Sequence, residues 1–209
     1  MTKTITRVYD DYPTAEETVR ELRGAGLAAS NIGLVASNAD GWHRPGASSV
    51  SPIHDKDRDG KDDRAEGAAT GGGVGAILGG AAGAAAGLGM IAIPGIGPVV
   101  AAGWLAALAA GAVGGGVAGG LIGALVESGT SKENAQLYAE AVRRGGAIVT
   151  ARVSDDDEAQ YTAIMDHRAY NVTERGRIWR DEGWKGYDPD APVYTAEQVR
   201  RERETYHRP

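Results

Sequence analysis

The sequence predicts an α+β fold: a small split β-α-β, ferredoxin-like sandwich with an inserted apolar helical hairpin. Three observations predict it. Residues 1–37 and 128–176 alternate strand-like and helix-like patterns. Between them, residues 67–126 contain no charged side chain, so all 50 charges of the 209-residue chain fall elsewhere. Within that uncharged run, glycine recurs every four residues. The chain thus divides into the first half of an α/β domain (1–37), a charged flexible linker (38–66), a glycine-zipper hairpin (67–127), the second half of the domain (128–176) and a charged C-terminal tail with a short helix (177–209).

In the first half, residues 4–9 are rich in β-branched side chains and read as a strand. Pro13 and Thr14 open a helix, and Thr14 with Glu17 has capping-box spacing. Asp10 and Asp11 read as turn and cap residues rather than as an acid–base pair. Ala15, Val19 and Leu22 give the helix one apolar stripe, and Gly24 and Gly26 stop it. Residues 32–36 form a second strand. Residues 38–66 are rich in Asp, Gly, Ser and Pro. They offer few side chains to offset the roughly 1–2 kcal/mol of backbone entropy that ordering each residue costs, so a linker is expected.

The second half resumes the pattern. Thr130 and Glu133 have capping-box spacing, and Ala135, Tyr138, Ala141 and Val142 form the buried face of a helix that Gly145-Gly146 ends. Residues 147–153 are a strand. Ser154 can cap the next helix, whose first turn holds Asp155, Asp156, Asp157 and Glu158, as the helix dipole favours. Tyr161, Ile164 and Met165 are its buried face, and residues 170–174 read as a fourth strand. Trp179, Trp184 and Tyr187 pin the tail onto the domain, and Thr195 with Gln198 starts a last, highly charged helix. The expected product is a four-stranded sheet with helices on one face.

In the central segment, one glycine row runs Gly71, Gly75, Gly79, Gly83, Gly87, and another Gly111, Gly115, Gly119, Gly123. Residues four apart share a helix face, and glycine there lets two helices approach closely. Pro94-Gly95-Ile96-Gly97-Pro98 reads as the turn between helices over residues 68–93 and 99–126. Each helix would be roughly 40 Å long, against a bilayer core of about 30 Å. The expectation is a lipid bilayer as partner, an inner-membrane location, and both flanks cytoplasmic. The alternative is a cytoplasmic protein whose hairpins bury one another in an oligomer. Trp104 reads equally as a marker of a membrane interface and as an ordinary packing residue.

The absence of cysteine excludes disulfides, thiolate metal sites and cysteine nucleophiles and fits a reducing compartment. A net charge of −6 argues against a nucleic-acid partner. The start of the chain runs straight into a strand pattern, so no cleaved signal peptide is expected. Asp55, Asp57, Asp59, Gly60 and Glu66 match the calcium-loop pattern at positions 1, 3, 5, 6 and 12, and hard carboxylates at that spacing can wrap Ca²⁺. Asp62 stands where a hydrophobic residue normally packs, and Lys56, Arg58, Lys61 and Arg64 offset the charge. A solvated linker explains the same residues. His43, His54, His167 and His207 have no paired ligand spacing. Ser128 and Ser131 lack a nucleophile-elbow context, and Gly71-Gly72-Gly73 has no following Lys-Ser/Thr. No catalytic set and no cofactor are predicted.

Residues 8–15 (Val-Tyr-Asp-Asp-Tyr-Pro-Thr-Ala), the helix end at Leu22-Arg23-Gly24-Ala25-Gly26 and the run Ile32 to Ser37 resemble the bacterial general-stress, heat-induced stress protein domain of the YflT type. Residues 145–150 and 155–165 resemble its second half. The resemblance covers about 110 residues, split by the glycine-rich run. It implies a bacterial, non-enzymatic stress role with no defined catalytic residues. Two functions follow as expectations. The first is a membrane-anchored accessory protein whose α/β domain docks a protein partner. The second is a stress protein that self-assembles through its zipper.

Overall fold

The β-branched start of the chain forms β1 (Thr2–Tyr9), and Pro13 lies in the first turn of α1 (Tyr12–Gly24). The computed structural model describes residues 2–43, 89–93, 95–106 and 120–206. A short 3-10 turn (Ala29–Asn31) leads into β2 (Ile32–Ser37). β3 (Gly89–Ile93) and β4 (Gly97–Ala102) follow. Then come α2 (Leu121–Glu127), α3 (Lys132–Arg143), β5 (Ala147–Ser154), α4 (Glu158–Asp166), α5 (Val172–Asp181) and α6 (Ala196–Tyr206). The fold is mixed α+β around one five-stranded antiparallel sheet, ordered β1-β5-β2-β4-β3.

β5 therefore lies between β1 and β2, with Ile5 and Ile32 both opposite Ala151. Alternation along each strand sends side chains to two cores. Ile5, Tyr9, Leu34, Ala36, Val149 and Ala151 face α1 and α4, where Leu22, Tyr161 and Met165 are buried. Val8, Val35, Val99, Ala101 and Ile148 face α2, α3 and α5, where Leu125, Leu137 and Trp179 are buried. Helices thus cover both faces rather than the expected one. Burying both faces of β5 explains why Thr150 is its one polar residue before Arg152.

The largest correction concerns the uncharged segment. Residues 89–93 and 97–102 are strands, not the end of one long helix and the start of another. The turn between them falls where Pro94 and its neighbours predict it, with Gly95 and Gly97 at φ +68° and +107°. Ile91 and Ile93 point to one face and Met90 and Ala92 to the other, and β-branched residues suit that pleat. Leu121, Ala124 and Leu125 of α2 are helical as expected, but they pack on the sheet. The described parts of the segment thus supply much of one core, and burial in protein accounts for the lack of charge at the residues that face it.

Among the described residues, no helix is long and apolar enough to cross a membrane. That corrects the membrane and transmembrane expectation for the described residues and leaves the inner-membrane location without support. Trp104 is a packing residue: it lies against the core, with the Arg152 guanidinium 3.8 Å from its ring centre.

Smaller corrections concern helix starts. The predicted strand at 170–174 is the start of α5, because the Asn171 side chain accepts hydrogen bonds from the backbone N–H groups of Thr173 and Glu174. Asp11 caps α1, as its reading as a cap residue predicts, accepting from the N–H of Thr14, which is itself not the cap. Ser131, not Thr130, caps α3. Ser154 accepts from the Asp157 N–H in the turn that precedes α4.

Candidate functional site

Two places in the described fold carry unusual chemistry. The first is where the C-terminal tail meets the body. α3 ends at Arg143, just before Gly145-Gly146. Gly145 has φ +106°, and a Cβ there would overlap Val199 of α6. A Cβ on Gly146 would sit 2.9 Å from the carbonyl oxygens of Ala141 and Tyr9. The close approach brings the last turn of α3 under the tail.

Arg144 is the hub. Its Nε donates to Glu140 at 2.7 Å, and its Nη1 pairs with Glu182 at 3.2 Å and with Glu202 of α6. Its guanidinium lies between the Trp179 ring, 5.0 Å away, and the Tyr194 ring, 5.7 Å away. Arg175 repeats the plan. Its Nη1 donates to Asp10 at 2.6 Å, and it sits between Tyr170 (3.7 Å) and Tyr206 (4.1 Å). Each arginine therefore has a carboxylate and one ring from the body, and a second ring from the tail. Arg203 of α6 completes the junction, donating to Asp40 at 2.7 Å and to the Gly145 carbonyl at 2.9 Å. Arg143 donates to the Pro192 carbonyl at 2.9 Å.

Burial opposes the charge on Arg144, but the hydrogen bond and charge of Glu140, then the charge of Glu202, hold its pKa above the ordinary arginine value. Burial raises Glu202 above the usual carboxylate range, with Arg144 pulling the other way. Burial also pushes Tyr170 well up. The cleft left between Asp10, Arg144, Tyr170, Arg175, Glu202 and Tyr206 is about 20 Å³, room for one water rather than a substrate. A larger cleft of about 350 Å³ is lined by Arg7, Tyr138, Asp166 and Asn171. These four side chains are already engaged: Arg7 with Asp166, Tyr138 with the Thr6 carbonyl, and Asn171 with its own helix.

The second place is the β3 edge of the sheet. β3 (Gly89–Ile93) has no charge, and its outer side has no ladder partner among the described residues. Met90 is 47 % exposed and Ala92 is exposed beside it. The neighbouring loop adds Trp42, 37 % exposed, stacked on Tyr12 at 4.1 Å. Asn38 orders this corner by donating to the His43 carbonyl and lying 3.3 Å from the Met90 sulfur. The β1 edge differs. Thr6 O accepts from the Tyr138 hydroxyl and from Arg7, Val8 O accepts from the Tyr170 N–H, and Lys3 pairs with Glu158. Such devices block strand addition at β1, and β3 has none of those charges.

Of the residues singled out by sequence, Asp55, Asp57, Asp59 and Glu66 lie outside the described residues. So do Gly71, Gly75, Gly79, Gly83, Gly87, Gly111, Gly115 and Gly119, together with His54 and His207. Gly123 is half-buried within α2. His43 belongs to the loop beside Trp42, and His167 follows the last turn of α4. Among the described residues, no group of three or more His, Asp or Glu could hold a metal ion. Trp179 is 1 % exposed within α5. Arg144, Arg175, Tyr194 and Tyr206 went unnoticed in the sequence. Their signal is the interleaving of Arg with Tyr and Trp through residues 170–206.

No family model, no curated protein and no solved structure matches the chain.

Proposed function

We propose that this is a non-enzymatic, self-associating protein whose α+β body carries an uncharged, glycine-rich assembly segment. The observation that carries the reading is the β3 edge. The uncharged run enters the sheet as its outermost described strand, without charge, and with Met90 and Ala92 exposed. A short uncharged edge strand is a template for pairing with a second copy. The glycine rows on either side of the β3–β4 hairpin would extend that contact by close helix packing. The bacterial stress setting rests on the resemblance of the two α/β stretches, and the ferredoxin-like description of the body belongs to the same proposal.

Sedimentation of the full chain at about 100 µM, a range in which micromolar contacts are populated, tests it. The native chain should run as an oligomer of fixed size. Met90→Lys with Ala92→Lys, or Gly75→Leu with Gly115→Leu, should shift it toward monomer. A native chain that is monomeric at that concentration overturns the reading.

A further inference from the structure

We propose that the recess beneath α6 is a helix-receiving site, filled by the chain's own α6 and able to take α6 of a second copy in its place. The recess is built without the tail. Glu140 and Asp10 anchor Arg144 and Arg175, while Trp179 and Tyr170 back them from the body. Gly145 supplies the notch for Val199. The receptor thus keeps its charges and its rings when α6 leaves.

The occupant is weakly committed. Val199 is the one residue of α6 that is buried, and its other attachments are charged or aromatic. The fit is also incomplete. Asp40 Oδ1, Arg143 Nε, Arg203 Nε and the Tyr206 hydroxyl are buried with no hydrogen-bond partner, and all four lie at this junction. Unsatisfied polar atoms reduce the net gain of docking.

The tether permits exchange. Trp184 and Tyr187 still pack against the core, so the hinge falls after them. Residues 188–195 contain Pro189 and Pro192 and form no helix or strand. Eight residues can extend about 26–29 Å, enough to carry α6 to a neighbour. Exchange of an identical terminal element between copies needs no new contact chemistry. The surface differs from the β3 edge, so the two proposals can fail separately.

The test uses a fluorescent peptide of residues 194–206 and the full chain carrying Met90→Lys and Ala92→Lys, which removes strand-edge assembly. The peptide should bind saturably at low salt and more weakly at about 0.5 M salt, where a Debye length of about 4 Å screens the ion pairs. Arg203→Ala in the chain weakens the competing internal helix, so the peptide should bind about tenfold tighter, with Arg203→Lys intermediate. A peptide carrying Val199→Asp should not bind. At high protein concentration the chain should also form a dimer that excess peptide breaks. Equal binding to native and Arg203→Ala chains, binding of the Val199→Asp peptide, or the absence of a peptide-sensitive dimer overturns the proposal.

Discussion

Glu202 shows how a single side chain can be paired and still costly. It touches Arg144, yet burial raises its pKa above the ordinary 4.5. A carboxyl with a raised folded pKa contributes most below its unfolded value, and that contribution is lost as pH rises through the folded value. At neutral pH the charged form is therefore held against its own desolvation. Glu202→Gln keeps an acceptor for Arg144 and removes the buried charge. It should leave stability within about 1 kcal/mol of native, and hydrogen exchange in α6 should be as slow as before or slower at pH 7. Faster exchange would show that the ion pair outweighs its burial. The phenols behave alike at the other end of the scale. Burial raises Tyr9, Tyr138 and Tyr170 above 10.0. Their stabilising effect is complete below pH 10 and lost above it. Phenolate absorbance should therefore show these three appearing only with alkaline unfolding.

At the scale of elements, local chemistry was legible wherever it did not depend on distant partners. Thr195 and Gln198 exchange hydrogen bonds at 3.3 and 2.9 Å, as their spacing predicts. The buried faces of α1 and α3 also follow their apolar stripes. The errors lie where two local rules compete. Val172 and Thr173 favour a strand, but Asn171 just before them is a strong N-cap and wins. Removing it with Asn171→Ala should destabilise the protein by about 1 kcal/mol, read from denaturant unfolding. The glycine spacing around residues 89–102 suggested helix, but β4 pairs with β2 as well as with its neighbour β3, and no local window contains the pairing with β2. The tail junction was illegible for the same reason: Arg175 meets Asp10 across 165 residues. Gly146→Ala should destabilise by about 1–3 kcal/mol, because the new Cβ meets backbone on both sides and neither carbonyl can move freely. Thermal unfolding would read that loss.

For the whole molecule, the absence of charge over 60 residues had two physical explanations, lipid or protein around it. The described parts of that run pack one side against β1, β2, β5 and α3, and burial there accounts for its apolar core residues but not for the exposed Met90, Ala92 and Val126. Composition alone cannot distinguish these surroundings, because both exclude water. The molecule also divides by the forces that hold it. The sheet and its two cores are apolar, while α6 is held mostly by charge. Raising salt should therefore accelerate exchange in α6 while β5 and β2 stay protected. Parallel loss of protection in both would mean that the tail is as integral as the sheet.

The place of β5 at the heart of the sheet has a consequence for synthesis. β1 pairs with β5 and with no other described strand, so β1 must wait until residue 154 has left the ribosome before its ladder can close. A nascent chain halted before that point holds β1 and β2 without the strand that joins them, and both cores are open to water. Ribosome-bound fragments of increasing length should gain protease resistance in one step, once that strand has emerged.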